Sequence, residues 1–315
     1  MIGLYRPVAH SLALATLAAT AVLIVLGGLV TNTGAALAVP DWPSTFGHNM
    51  FLFPWSRMVG GVFYEHSHRL AGALVGLLTV TLAAALWREG GRPRQLGLVA
   101  VAVVLVQGAL GGLRVVLLHD RLAIIHGCVA PAFFALLAAL TMLTAPRARV
   151  AGAPLEPALK GPAVLAAALV YVQIVFGALL THTGRSDLHL AGAVLVFAFV
   201  PIIAARLRRT TDAVAALVGT AFLVLLGVQL VLGVGSYLAR FSTLQIFGGP
   251  ATALLLPVAH RLVGSLMLGA TVVLAVRAYT PVTDAFALRA TATGQERRAL
   301  AAMRSAVPNP SVKRR

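Results

Sequence analysis

Eight runs of about twenty or more predominantly apolar residues organise this chain, at roughly 9–30, 63–87, 95–117, 122–145, 160–180, 188–207, 214–237 and 253–277. A hydrocarbon layer about 30 Å thick takes about 20 helical residues to cross, and every run is long enough. Backbone inside lipid must satisfy its own hydrogen bonds, so runs of this length read as helices. The sequence predicts an all-α polytopic membrane protein with eight transmembrane helices. Charge agrees: only 11% of residues are charged against 59% hydrophobic, where a soluble domain carries roughly 25% charged. A water-soluble fold and a disordered chain are both excluded. The many glycines fit close helix–helix approach rather than loops.

The net charge of +16 could suggest nucleic acid, but the basic residues lie between the apolar runs and in the tail. Arg6, then Arg88, Arg92 and Arg94, then Arg147, Arg149 and Lys160, then Arg206, Arg208 and Arg209 fall on one side. The tail adds Arg289, Arg297, Arg298, Arg304, Lys313, Arg314 and Arg315. The opposite loops carry chiefly Arg57, Arg114, Arg121, Arg185 and Arg240. The positive-inside rule predicts both termini in the cytoplasm of a bacterial-type cell membrane. Arg6, the first run and Ala36-Leu37-Ala38 weakly match a signal peptide, but the run is longer than a usual signal core and resembles a later span. Residues from about 281 onward are polar and basic, and read as a surface-lying or disordered cytoplasmic tail.

The two halves resemble each other. Thr31-Asn32-Thr33-Gly34 after the first run matches Thr181-His182-Thr183-Gly184 after the fifth. His68-Arg69-Leu70-Ala71-Gly72-Ala73 matches His189-Leu190-Ala191-Gly192-Ala193, Gln107 matches Gln229, and His126-Gly127 matches His260-Arg261. The chain therefore reads as two pseudo-symmetric four-helix bundles, 1–150 and 151–280, with a basic tail at 281–315.

His68, His126, His189 and His260 each fall within about two turns of the start of an even-numbered run. Ionisable groups inside a membrane are costly and usually functional, and four at repeat-related positions are not coincidence. Neutral imidazole binds iron, copper and zinc. A compact zinc site takes three or four ligands together, and this chain has nine Asp and Glu in all and a single cysteine, Cys128. One imidazole pair per half suits six-coordinate heme iron held between helices, His68 with His126 and His189 with His260. Arg69 and Arg261 each follow a candidate ligand and could pair with heme propionates. Gly72, Gly127, Gly192 and Gly264 lie near the ligands; they could let a flat macrocycle approach the helix, but simple helix packing is the better single explanation. Glu65 shares a helix face with His68, and its place in the second half is taken by Ser186. It could accept a proton or stabilise a developing cation. His48, His66, His119 and His182 lack the repeat pattern and read as interfacial. Residues 34–62, with Trp42, Phe51, Phe53 and Trp55, read as an ordered cap over the first half only.

Thr33-Gly34, Pro40-Asp41-Trp42-Pro43, Glu65-His66-Ser67-His68-Arg69, and then His126, His189 and His260-Arg261 resemble the heme A synthases over about residues 10–277. The resemblance implies oxidation of the C8 methyl of heme O to a formyl group, giving heme A for terminal oxidase assembly. It implies a resident heme b on His189 and His260, heme O as substrate and heme A as product on His68 and His126, and Glu65 as the catalytic residue beside the methyl. Heme O synthase and the heme-A-containing oxidase under assembly become expected partners, with membrane lipid around the chain. A quinone and a second copy of the chain are admitted, and nucleic acid is not. Many bacterial members carry two cysteines flanking the Pro-Asp-Trp-Pro segment; here Val39 precedes it and Ser44-Thr45 follow, so no disulfide or thiol relay forms there. Cys128 reads as a packing residue. The alternatives are a diheme b-type electron-transfer protein and a non-catalytic heme carrier. A transporter is disfavoured because the histidines lie toward one face rather than at the midplane.

Overall fold

The computed structural model describes residues 5–145, 155–243 and 247–279. Arg147, Arg149 and the tail from 281 lie outside the described residues, as does the side chain of Arg6. The described residues form eight long helices: α1 (Tyr5–Asn32), α2 (Gly60–Trp87), α3 (Gly91–Leu117), α4 (Asp120–Thr144), α5 (Lys160–Thr183), α6 (Ser186–Leu207), α7 (Ala213–Phe241) and α8 (Gly249–Tyr279). All eight are long and apolar enough to cross a membrane. Among the described residues there is no β-strand, only a lone bridge between Thr45 and His48 in the cap.

Local chemistry sets the ends. Gly184, at φ 76°, closes α5 by donating its N–H to the Leu180 carbonyl, a left-handed position that glycine takes without steric cost. The Asp212 carboxylate caps α7 by accepting the Ala215 N–H at 2.8 Å. Pro131, Pro201 and Pro257 sit inside α4, α6 and α8, positions that membrane-spanning helices tolerate.

Each half closes on itself: α1 packs on α2 and α4, and α3 on α2 and α4, while α5, α6, α7 and α8 repeat that ring. The halves meet where α4 packs on α8, flanked by α1 on α8 and α4 on α5. These two flanking contacts exchange under the repeat, so a pseudo-two-fold axis runs through the α4–α8 contact. α4 and α8 are accordingly the most buried helices, and the others present apolar residues outward to lipid. One core holds Ala13, Val75, Leu82, Leu86, Phe133, Leu137 and Leu140; the other holds Val170, Val200, Leu207, Phe222, Leu226, Leu268 and Leu274. Below the second core, Asp212 and Arg277 form an ion pair at 2.6 Å with both side chains 2% exposed.

Candidate functional site: two facing imidazole pairs

The even helices all start at the end of the bundle that carries the cap, and each carries one of the four histidines. α8 begins at Gly249, four residues before the apolar run does, so His260 stands about three turns from its start rather than about two. The structure brings the rings together in two pairs. His68 faces His126 with ring centroids 6.4 Å apart and planes at 79°. His189 faces His260 at 6.1 Å and 74°. Among the described residues no three His, Cys, Asp or Glu side chains gather as a metal site would need, so the arrangement is one of pairs.

That spacing has a chemical meaning. A metal–imidazole bond is about 2.0 Å and the ring nitrogen lies about 1.1 Å from the ring centre, so two imidazoles sharing one metal have centroids about 6.2 Å apart. Nδ1 of His68, His126 and His260 is buried without a hydrogen-bond partner, which leaves nitrogen lone pairs or protons for a bound group to satisfy. The donor set, two neutral imidazoles without carboxylate or thiolate, fits heme iron.

Each ring also abuts a glycine of the adjacent odd helix, Cε1 and Nδ1 foremost. A Cβ added at Gly27 (α1) would come within 3.0 Å of His68 Cε1, at Gly111 (α3) within 3.4 Å of His126, at Gly177 (α5) within 3.3 Å of His189 and at Gly233 (α7) within 3.0 Å of His260. These four make the close approach to the imidazoles, while a Cβ at Gly72 or Gly127 would meet nothing within 4 Å. Gly192 and Gly264 face the side chains of Gln173 and Gln229 instead. The signal was in the repeat: Gly27 stands four residues before Thr31 as Gly177 does before Thr181, and Gly111 stands four after Gln107 as Gly233 does after Gln229. Gly233→Ala is expected to tilt the His260 ring, because 3.0 Å is well inside the carbon–carbon optimum of about 3.5–4.0 Å. The check is the low-spin ferric resonance of the pigmented protein. It should shift in Gly233→Ala and stay put in Gly227→Ala, whose added Cβ meets nothing within 4 Å.

The cap is anchored to the first pair's helix. The Arg69 guanidinium donates to the carbonyls of Val39 (3.0 Å), Asp41 (2.7 Å) and Ser44 (3.1 Å) and to Glu65 Oε1 (2.8 Å). Glu65 Oε2 accepts the Val39 N–H at 3.0 Å, and the Glu65 residue is 5% exposed. Arg69 is thus committed to the cap. Arg261 makes a 3.2 Å hydrogen bond to the Thr181 hydroxyl. Asp41 folds the loop on itself, accepting from Ser44, Phe46 and Gly47. Burial works to raise its carboxyl, but the Gly47, Ser44 and Phe46 hydrogen bonds outweigh burial and hold it below the usual carboxylate range. The Trp42 indole lies on α3 at Gly112, where a Cβ would overlap the ring. His66 is a cap residue too, buried against Thr45 and Phe53. His48 contacts Arg57 on the surface, and His119 precedes α4. Cys128 is a half-buried free thiol on α4.

Residues 10–187 match the COX15-CtaA family model, described as cytochrome oxidase assembly protein. This chain belongs to that family. The heme A synthase of Shouchella clausii (strain KSM-K16) is 33% identical over 176 residues, 52% of this chain and 57% of that protein. The heme A synthase of Halalkalibacterium halodurans (strain ATCC BAA-125 / DSM 18197 / FERM 7344 / JCM 9153 / C-125) is 32% identical over 182 residues, 53% and 58% of the two chains. Each match thus spans a little over half the length of the relative. For a COX15-CtaA member, the stretch matched by the family model contains His68, His126, Glu65 and the cap, and it ends just before His189.

Proposed function

We propose that this protein oxidises the C8 methyl of heme O to a formyl group, as a heme A synthase, in service of terminal oxidase assembly. The observation that carries the reading is the presence of two facing imidazole pairs, each at the separation that one shared iron needs. The heme A synthase names of the similar proteins support the substrate. In this reading the halves 1–150 and 151–280 are the substrate half and the cofactor half. His189 and His260 hold a resident heme b, and Arg261 takes a propionate. His68 and His126 hold heme O and then heme A. When bound, the heme b supplies one-electron transfer.

The chain's own residues do the rest. His68 and His126 orient the substrate ring, and the packed cap with Phe53, Val39 and Ala35 keeps water from that end. Glu65, one turn before His68, is held between Arg69 and the Val39 N–H, and in this reading its carboxylate stabilises positive charge developing at the reacting carbon. A methyl group becoming a formyl group is a four-electron oxidation; with water supplying the oxygen it releases four electrons and four protons. A membrane quinone is the class of acceptor suited to this setting. Heme O synthase and the recipient oxidase are the expected partners, and a bacterial-type cell membrane with both chain ends in the cytoplasm is the expected setting.

One observation favours a second reading, the diheme electron-transfer protein: both Glu65 oxygens already have partners, which gives the residue a purely architectural role. The experiment that separates them supplies heme O to cells expressing the chain and chromatographs the extracted pigment. Heme A or its hydroxylated precursor is expected from the parent chain. Glu65→Gln is expected to keep both pigments and lose at least about a hundredfold in product, the scale of one lost electrostatic contact to a transition state. Two bound hemes with no oxidised product from the parent chain would select the electron-transfer reading.

A further inference from the structure

With its guanidinium spent on the cap, Arg69 leaves the first pair without the cation that the neighbour of its own ligand could have supplied. The counterpart of Arg261 in the first half is Gly127, which carries no charge either. A tetrapyrrole with two propionate carboxylates brings two negative charges to the pair that holds it. Inward of the first pair the core offers Val75, Leu82, Phe133 and Leu137, where an unpaired carboxylate is far too costly to leave. The charges must be met toward the capped end.

Arg114 stands there, half-buried in the last turn of α3. Gln107, Gly111 and Arg114 follow the i, i+4, i+7 spacing that lines one helix face. The first two address His126: Gln107 donates its amide N–H to the His126 carbonyl at 3.2 Å, and Gly111 abuts the ring. Arg114 is the next position outward on that face, about 4.5 Å along the axis from Gly111. Its charge acts on His126 and, across the junction of the halves, on His182 at the end of α5. Arg240 and Arg261 act on His182 as well, against the carboxylate of Asp120. Cations from α3, α7 and α8 therefore gather at the capped end where the halves meet. Among the described residues no hydrogen bond or ion pair engages Arg114. Like charges gathered in partly buried places without a counterion make a place for an anion. The fold itself does not need an arginine here. Its counterpart, three residues after Gly233, is Ser236, which bonds within its own helix to the Leu232 carbonyl at 2.6 Å. Resting on the heme reading of the two pairs, we propose that Arg114 binds a propionate carboxylate of the tetrapyrrole held by His68 and His126. A guanidinium meets a carboxylate with two parallel N–H···O bonds, so it supplies both charge and orientation. The two halves then draw their propionate cation from different helices, α3 in the first and α8 in the second.

The test separates the carboxylates from the ring. The full chain carrying His260→Ala, in which the first pair is the one left whole, is purified and its pigment drawn off with excess apomyoglobin. It is then titrated with ferric protoporphyrin IX and with the dimethyl ester of the same compound, followed by Soret absorbance. Adding Arg114→Gln should weaken the free acid about ten- to hundredfold, the range that one hydrogen bond to a charged group supplies, and leave the ester's affinity unchanged. Arg114→Ser, which installs the residue that the second half carries at this place, should do the same, and it decides alone if the glutamine variant fails to accumulate. Equal weakening of acid and ester would mean that Arg114 only supports the end of α3, and would overturn the proposal. Unchanged binding of the acid would overturn it as well, and both results would leave the heme reading standing. A chain that binds neither compound with Arg114 in place would defeat the heme reading itself, and this inference with it.

Discussion

Arg69→Leu is expected to detach the cap and to lower stability by about 3–5 kcal/mol, the cost of removing one partner from a buried ion pair. Four acceptors lose their donor at once: the carbonyls of Val39, Asp41 and Ser44 and the Glu65 carboxylate. The Arg69 and Glu65 side chains are 10% and 7% exposed, so water does not readily replace the guanidinium. Glu65 would keep only the Val39 N–H, an uncompensated charge in a buried place. The cap also holds Leu37 at φ 74° and Phe46 at φ 48°, left-handed positions that cost about 1–2 kcal/mol per non-glycine residue, and it needs its anchor to keep them. Limited proteolysis in detergent between residues 34 and 59, together with the unfolding midpoint, measures this. Proteolysis at the parent rate with an unshifted midpoint would mean that the cap is held by apolar packing alone.

His260→Ala is expected to remove one of two pigments. The remaining imidazole of that pair, His189, lacks its facing partner at 6.1 Å, and a single axial ligand in an apolar site holds the group much more weakly. Pigment extracted per chain should fall from about two to about one, with His189→Ala giving the same loss. His126→Ala should remove the other pigment and leave the second pair's spectrum unchanged. The near-perpendicular planes, 79° and 74°, add a spectroscopic expectation: both ferric centres should give the strongly anisotropic low-spin signal of crossed imidazoles. Two pigments retained in His260→Ala would remove that residue from the site.

Much of this arrangement was readable in the residues. The lipid thickness fixes helix length, so eight apolar runs became eight helices with ends shifted by at most four residues, as at the starts of α1, α3 and α8 and the end of α7. The repeat of His68-Arg69-Leu70-Ala71-Gly72 in His189-Leu190-Ala191-Gly192 placed equivalent residues on equivalent helices. The glycines were harder. Gly72 and Gly27 are alike as letters, and in chain order Gly72 is much the nearer to His68. Only the packing of α1 on α2 brings Gly27 against the His68 ring, while a Cβ at Gly72 would meet nothing within 4 Å. Arg69 was equally ambiguous, since an arginine after a candidate ligand can reach toward a propionate or toward the cap. The three loop carbonyls converging on its guanidinium decide for the cap.

The sequence by itself determined how many times the chain crosses a membrane, that its halves are copies and which histidines stand in the even helices, because hydrophobic length and repeat spacing are one-dimensional properties. Tertiary structure decided which imidazole meets which, which glycine lies beneath each ring and what the Arg69 and Glu65 charges are spent on. Those depend on helix rotation and on contacts across 25 to 30 residues of cap, and no local pattern encodes the angle at which one helix face turns toward another.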